Sequence, residues 1–299
     1  MRTSRVITAV VASAVLALAG CSGTSTPDSG ASAVPAAPVA EGAFGDEVAT
    51  DGITVADGVA TIKVGASPVP HAQILQFVQD NLAADANLKL EIVEFTDYQL
   101  PNSTLEGGDL AANYFQTPNF LKQQEDEKGY DFTEYLPGVH IEPLGLYSDK
   151  HKKVEDLPAG AKIALNNDPA NTARALKLLA SKQLIELNDV ELPTDLDIKS
   201  NPKNFEFVLV DGAQTARSLA DVDAAVINGN YAIEAGKVPS KDALLLEDGA
   251  GSPYANLLVV RTADKDNAAL AKLQELLTSP EVKQYIESTW TDGSVIPAF

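Results

Sequence analysis

Two side chains able to hold a ligand stand three residues apart in the stretch NDPANTAR, residues 167–174: the amide of Asn171 and the guanidinium of Arg174. The Asp168-Pro169 pair before them predicts a helix start, with Asp168 as N-cap and Pro169 as the first helical residue. On such a helix Asn171 and Arg174 share one face near its N-terminus. That face could hold an anion, because free backbone N–H groups and a guanidinium both favour negative charge. An ordinary surface helix would carry the same residues, so the stretch alone leaves both readings open. Other chemistry-bearing residues fall at similar places, just after strand-like runs: His71, Asp97 with Tyr98, Phe115 to Thr117, and Asn228. These edges are rich in amides and aromatics and poor in catalytic types.

Several chemistries find no support. The three histidines, His71, His140 and His151, are widely spaced along the chain, Cys21 is the only cysteine, and no HxxxH or CxxC pattern occurs. A metal site is therefore not expected. Neither GxGxxG nor GxxxxGK[ST] appears, so nucleotide phosphates have no local cradle, and no GxSxG nucleophile turn is present. No cofactor and no catalytic residue is expected. With 22 basic and 42 acidic residues the formal net charge is −20, which argues against nucleic acid and against charge-driven adhesion to anionic lipid.

The elements that must position these residues alternate along the chain. Strand-like runs (60–67, 88–95, 109–115, 140–148, 161–166, 205–210, 223–228, 243–247 and 256–261) are interleaved with helical stripes (71–84, near 101, 120–129, 169–184, 214–220, 229–236, 264–278 and 280–289). The first helical stripe has apolar residues at 74, 75, 78 and 82, a 3.6-residue period. Such alternation predicts an α/β protein with mostly parallel sheets. In these folds ligands bind where strands end and helices begin.

The start of the chain carries an address. Met1 to Arg5 holds two arginines, and residues 6–19, VITAVVASAVLALA, are apolar or small throughout. That run is shorter than the ~20 residues a membrane-spanning helix needs and fits a secretory signal peptide, residues 1–20. Leu18-Ala19-Gly20-Cys21 resembles the lipobox of bacterial lipoproteins, which implies lipidation at Cys21 and a membrane anchor facing outside the cytoplasm. Residues 22–43 lack Leu, Ile and aromatics and read as a tether. Residues 44–58 either extend it, giving a tether over 21–58, or add a small hairpin.

Six segments in series resemble the NlpA family of methionine-binding lipoproteins: VGASPVPHAQIL, EFTDYQLPN, GDLAANYFQ, LNNDPANTARALKLL, AVINGNYAIEAG and SPYANLLVVR. The resemblance implies an α/β, two-lobed fold of the type II periplasmic-binding-protein kind with the ligand in the cleft. Lobe I would comprise 59–147 and 252–299, and lobe II 148–251, with crossings near 146–149 and 248–252. It implies a monomeric, lipid-anchored receptor that captures methionine and delivers it to an ABC transporter permease. The family's site falls on Tyr98, Phe115, Asn171, Arg174, Asn228 and Asn256. Arg174 would fork onto the ligand carboxylate, helped by free N–H groups at the helix start. Asparagine oxygens would accept from the ammonium, and Tyr98 and Phe115 would face the thioether. The family commonly has His and Tyr where this chain has Thr117 and Phe120 in FQTPNFL. These two positions leave room for another apolar amino acid, a methionine derivative or a short peptide. A surface lipoprotein acting through a protein partner is the further alternative.

Overall fold

The computed structural model describes residues 42–249 and 251–299. The signal peptide, the Cys21 anchor and the tether through residue 41 lie outside the described residues. Among the described residues no helix is long and apolar enough to cross a membrane.

The chain builds two α/β lobes, each around its own sheet. The first sheet has eight strands. Val59–Ala66 pairs in parallel with Leu88–Glu94 and with Ala112–Gln116, and the latter pairs antiparallel with Ala255–Arg261. Helices Gln73–Asn81, Ala268–Leu277 and Pro280–Thr289 bury an apolar stripe on this sheet: Ile74, Leu75, Val78, Leu270, Leu273, Leu277, Val282 and Ile286 pack with Ile62, Val64 and Leu258. The second sheet has five strands. Lys162–Asn166 lies between two parallel partners, Glu206–Val210 and Ala224–Ile227. Helix Pro169–Ser181 covers it through Leu176 and Leu179.

Three expectations need correction. The sheets are mixed rather than mostly parallel, because the strands nearest the crossings run antiparallel to their neighbours in both lobes. The tether ends earlier than residue 58. Ile53–Ala56 forms an antiparallel hairpin with Val59–Ala66, closed by Asp57 (φ 53°) and Gly58 (φ 79°). Positive φ at both turn residues is the two-residue geometry that matches strand twist, and Val48 and Ile53 join the core.

The third concerns the run 140–148, which splits at Pro143. His140–Ile141 pairs in the first sheet, whereas Gly145–Tyr147 pairs in the second, with Ala224–Ile227 and Ala243–Leu246. The chain therefore crosses at Glu142–Leu144, ahead of the expected 147/148 boundary, and returns between Glu247 and Tyr254. The two crossings are tied to each other, since Glu247 N–H donates to the Leu144 carbonyl at 2.9 Å and Leu144 N–H donates to the Glu247 carboxylate at 3.0 Å.

Candidate functional site: the cleft between the lobes

A small cavity lies between the lobes, lined by Tyr98, Phe115, Gln116, Thr117, Phe120, Glu142, Asn171, Arg174, Asn228, Gly229, Asn230 and Asn256. All eight residues expected to meet ligand stand on its wall. Gln116 belongs to a strand edge marked in the sequence without an assigned role, and Glu142, Gly229 and Asn230 carry no such mark.

The first lobe supplies the apolar side. Phe115 is the penultimate residue of the strand Ala112–Gln116, Thr117 is the N-cap of the helix Pro118–Lys128, and Phe120 lies in its first turn. The Phe115 and Phe120 rings meet edge-on with centroids 5.7 Å apart, and Tyr98 lies 5.8 Å from Phe120. This cluster packs on Ala170 of the second lobe. Tyr98 also reaches across the cleft: its hydroxyl donates to Asn230 Oδ1 at 2.5 Å, and its ring lies 4.9 Å from that of Tyr231.

The second lobe supplies the polar side, and here the structure refines the expected roles. Asp168 is the N-cap and Pro169 the first helical residue, as the sequence predicts. The Asp168 carboxylate accepts from Asn171 N at 2.8 Å and from Asn171 Nδ2 at 2.9 Å. The helix start thus already holds an anion of its own, so it does not offer free N–H groups to a ligand carboxylate as expected. Burial pushes the Asp168 pKa up, and the donors from Asn171 oppose that shift.

Asn171 Oδ1 accepts from Asn228 Nδ2 at 2.7 Å. Asn228 occupies the N-cap position of helix Gly229–Glu234 without capping it by its side chain. Its own Oδ1 is buried and has no partner. The chain Asp168–Asn171–Asn228 therefore orients one amide and leaves its acceptor unpaired.

Arg174 is also engaged. Nε donates to Glu247 Oε1 at 2.9 Å, and Nη2 donates to Glu247 Oε2 at 2.5 Å and to the Glu142 carbonyl at 3.0 Å. The Tyr254 ring stacks under the guanidinium at 4.1 Å. Of the five guanidinium donors, those on Nε and Nη2 are in use, and Nη1 makes no hydrogen bond to a described residue. The fork expected for the ligand is taken by Glu247, so a ligand carboxylate can meet Arg174 only through Nη1.

Glu142 sits on the crossing, almost wholly buried. Its Oε1 faces His140 Nε2 at 2.8 Å and His71 Nε2 at 3.4 Å. His71 Nε2 also faces Asn256 Oδ1 at 2.9 Å, and the Tyr114 hydroxyl bonds His140 Nδ1. Two histidines that the sequence keeps far apart thus meet one carboxylate, with three donor atoms within 4.8 Å of one another. Their short contacts are hydrogen bonds within the cluster. Burial holds His71 down at about 4 and His140 at about 3, so both are neutral near pH 7. Burial also raises Glu142 to about 7, against the pull of His71, Arg174 and the Asn230 N–H. Glu142 Oε2 is buried and makes no close hydrogen bond, although the Asn230 N–H draws on the same carboxylate. It lies against Gly229, where a Cβ would come within 2.6 Å of the Glu142 Cβ and 2.8 Å of Oε2. No sequence signal marks Glu142 among 42 acidic residues.

Residues 62–299 match the NlpA lipoprotein family. The methionine-binding lipoprotein MetQ of Bacillus subtilis is 38% identical over 246 residues, 80% of this chain and 89% of that one. Among solved structures, a nutrient-binding protein from Burkholderia cenocepacia bound to methionine is similar with a TM-score of 0.76 and 43% identity, covering 80% of this chain and all of that one. A periplasmic substrate-binding protein of an ABC transporter from Coxiella burnetii aligns with a TM-score of 0.75 and 41% identity over 79% of this chain and 100% of that one. With a match spanning both lobes and the cavity between them, the chain belongs to the NlpA lipoprotein family.

Proposed function

We propose that the protein is a lipid-anchored receptor that captures methionine in the cleft and presents it to an ABC importer at the outer face of the membrane. One observation carries the ligand class. The cavity keeps two buried acceptors without a close hydrogen bond, Asn228 Oδ1 and Glu142 Oε2. It also keeps a buried donor without a partner, Asn230 Nδ2, and Arg174 lines the same cavity with its Nη1 not engaged by a described residue. An unmet buried polar group costs about 1–3 kcal/mol. A zwitterion relieves all four, its ammonium meeting the acceptors and its carboxylate the donors. Tyr98, Phe115 and Phe120 then surround the side chain, and aromatic edges suit a thioether sulfur. The methionine-binding relatives support this choice over other apolar amino acids. No reacting constellation is needed for capture and release, and the protein acts without chemistry and as a monomer. Calorimetric titration of the purified, ligand-stripped protein with L- and D-methionine tests it: saturable heat is expected, and none at millimolar ligand would exclude methionine. Mass spectrometry of whatever the fresh protein releases on denaturation separates methionine from a derivative or a short peptide.

A further inference from the structure

Resting on the amino-acid reading of the cavity, we propose that Glu247 is a positioning residue that makes the cleft recognise the carboxyl end of its ligand as a hydrogen-bond acceptor, with no unmatched positive charge opposite it. The cleft then takes amino acid amides, which keep the ammonium and the carbonyl oxygen, nearly as well as the free amino acid.

The surroundings of Arg174 carry this. Among the described residues lining the cavity it is the only cation. Its Nε–Nη2 edge, which suits a carboxylate fork, is closed by the two oxygens of Glu247, and Nη2 also serves the Glu142 carbonyl. Everything that holds the guanidinium belongs to the crossings: the Glu142 carbonyl to the first, the Glu247 carboxylate and the Tyr254 ring to the second. Glu247 is fixed there in turn, since its N–H donates to the Leu144 carbonyl and its Oε2 accepts from the Leu144 N–H. A ligand carboxylate that took the fork would break two charge-assisted bonds and strand Glu247 as a largely buried, unpaired charge. The ligand therefore meets Nη1 of a guanidinium whose charge is already matched.

The other donor is neutral. Asn230 Oδ1 accepts from the Tyr98 hydroxyl, which fixes the amide and leaves Nδ2 as its buried, unpaired group. A further carboxyl group, Glu142, stands on the same wall, and Asp168 lies behind Asn171. One guanidinium among three carboxyl groups gives the site no surplus of positive charge. Taking a carboxylate out of water costs more than taking out an amide. Without an unmatched cation opposite it, that difference offsets the stronger hydrogen bonds an anion accepts. A ligand with no carbonyl at all leaves both Nη1 and Asn230 Nδ2 unmet.

The test is calorimetric titration of the purified, ligand-stripped protein at about pH 6, where α-amino groups are protonated. Three ligands are compared: L-methionine, L-methioninamide and 3-(methylthio)propylamine, which keeps the ammonium and the thioether and lacks the carboxyl group. The amide should bind within about tenfold of methionine, and the amine at least about thirtyfold more weakly than either, because two buried donors stay unmet. Glu247→Gln removes the matching charge and keeps the shape. Its preference for methionine over the amide should rise roughly tenfold, whereas a purely structural role for Glu247 would weaken both ligands alike. A wild-type amide affinity more than about tenfold below that of methionine overturns the proposal and leaves the methionine reading intact. An amine as tight as the amide overturns the assignment of the two donors to the carboxyl end. An unchanged preference in Glu247→Gln overturns the role of Glu247. No binding of methionine overturns the ligand reading, and this proposal with it. If Glu247→Gln does not fold, the wild-type series decides.

Discussion

The two walls of the cleft are built on opposite plans. The second lobe's wall is polar and already bonded to itself: Asp168 holds Asn171, Asn171 holds Asn228, and Glu247 holds Arg174. The first lobe's wall is aromatic, with Tyr98, Phe115 and Phe120 meeting ring to ring. A polar group is aimed by what it is bonded to, so the polar wall needs a framework behind every atom it shows the ligand. An aromatic wall needs only shape. The polar wall should therefore set what kind of molecule binds, and the aromatic wall which side chain it carries.

Removing one end of the polar framework should have the largest effect. Arg174→Ala strips a buried guanidinium from Glu247, from the Glu142 carbonyl and from Tyr254. Loss of about 3 kcal/mol or more of folding stability is expected from the stranded carboxylate, measured by denaturant unfolding of the ligand-free protein. A variant of wild-type stability would mean that Arg174 is not part of the framework. On the other wall, Phe115→Ala should cost about 2 kcal/mol of methionine affinity through lost apolar contact. Competition titrations should show the preference for methionine over alanine falling in step, and an equal loss for both ligands would erase the division of labour between the walls. Asn228→Ala should weaken every α-amino acid alike, by about 1.5 kcal/mol; a selective loss for methionine would place that amide against the side chain instead. Tyr98→Phe keeps the ring and removes only the bond to Asn230. A change of about 1 kcal/mol is expected, appearing in stopped-flow as faster release with little change in capture.

The sequence carried the two walls unequally. The aromatic wall was readable through the family resemblance, which fell on Phe115, Thr117 and Phe120 around a single strand end. The helix start at Asp168-Pro169 was readable from local chemistry. What those groups bond to was not, because the partner of Arg174 lies 73 residues away and that of Asn228 lies 57 away. Sequence spacing holds no trace of either pairing, so a guanidinium committed to Glu247 looks like a free one. Glu142 was missed for the same reason, since its burial depends on His71 far up the chain. The hairpin at 53–66 did leave a signal. Asp57-Gly58 between alternating residues is a strong two-residue turn, and it decides for the hairpin that the sequence reading had left open beside a tether. The split at Pro143 reflects strand pairing at long range, although a residue without an N–H is a natural place for a ladder to end.

The bond from the Tyr98 hydroxyl to Asn230 joins the lobes at the wall of the cavity. In kinetic terms it makes departure of the ligand and parting of the lobes a single event. The residence time of the ligand is then the lifetime of the closed form, and a membrane partner that prises the lobes apart would set the moment of delivery without touching the ligand.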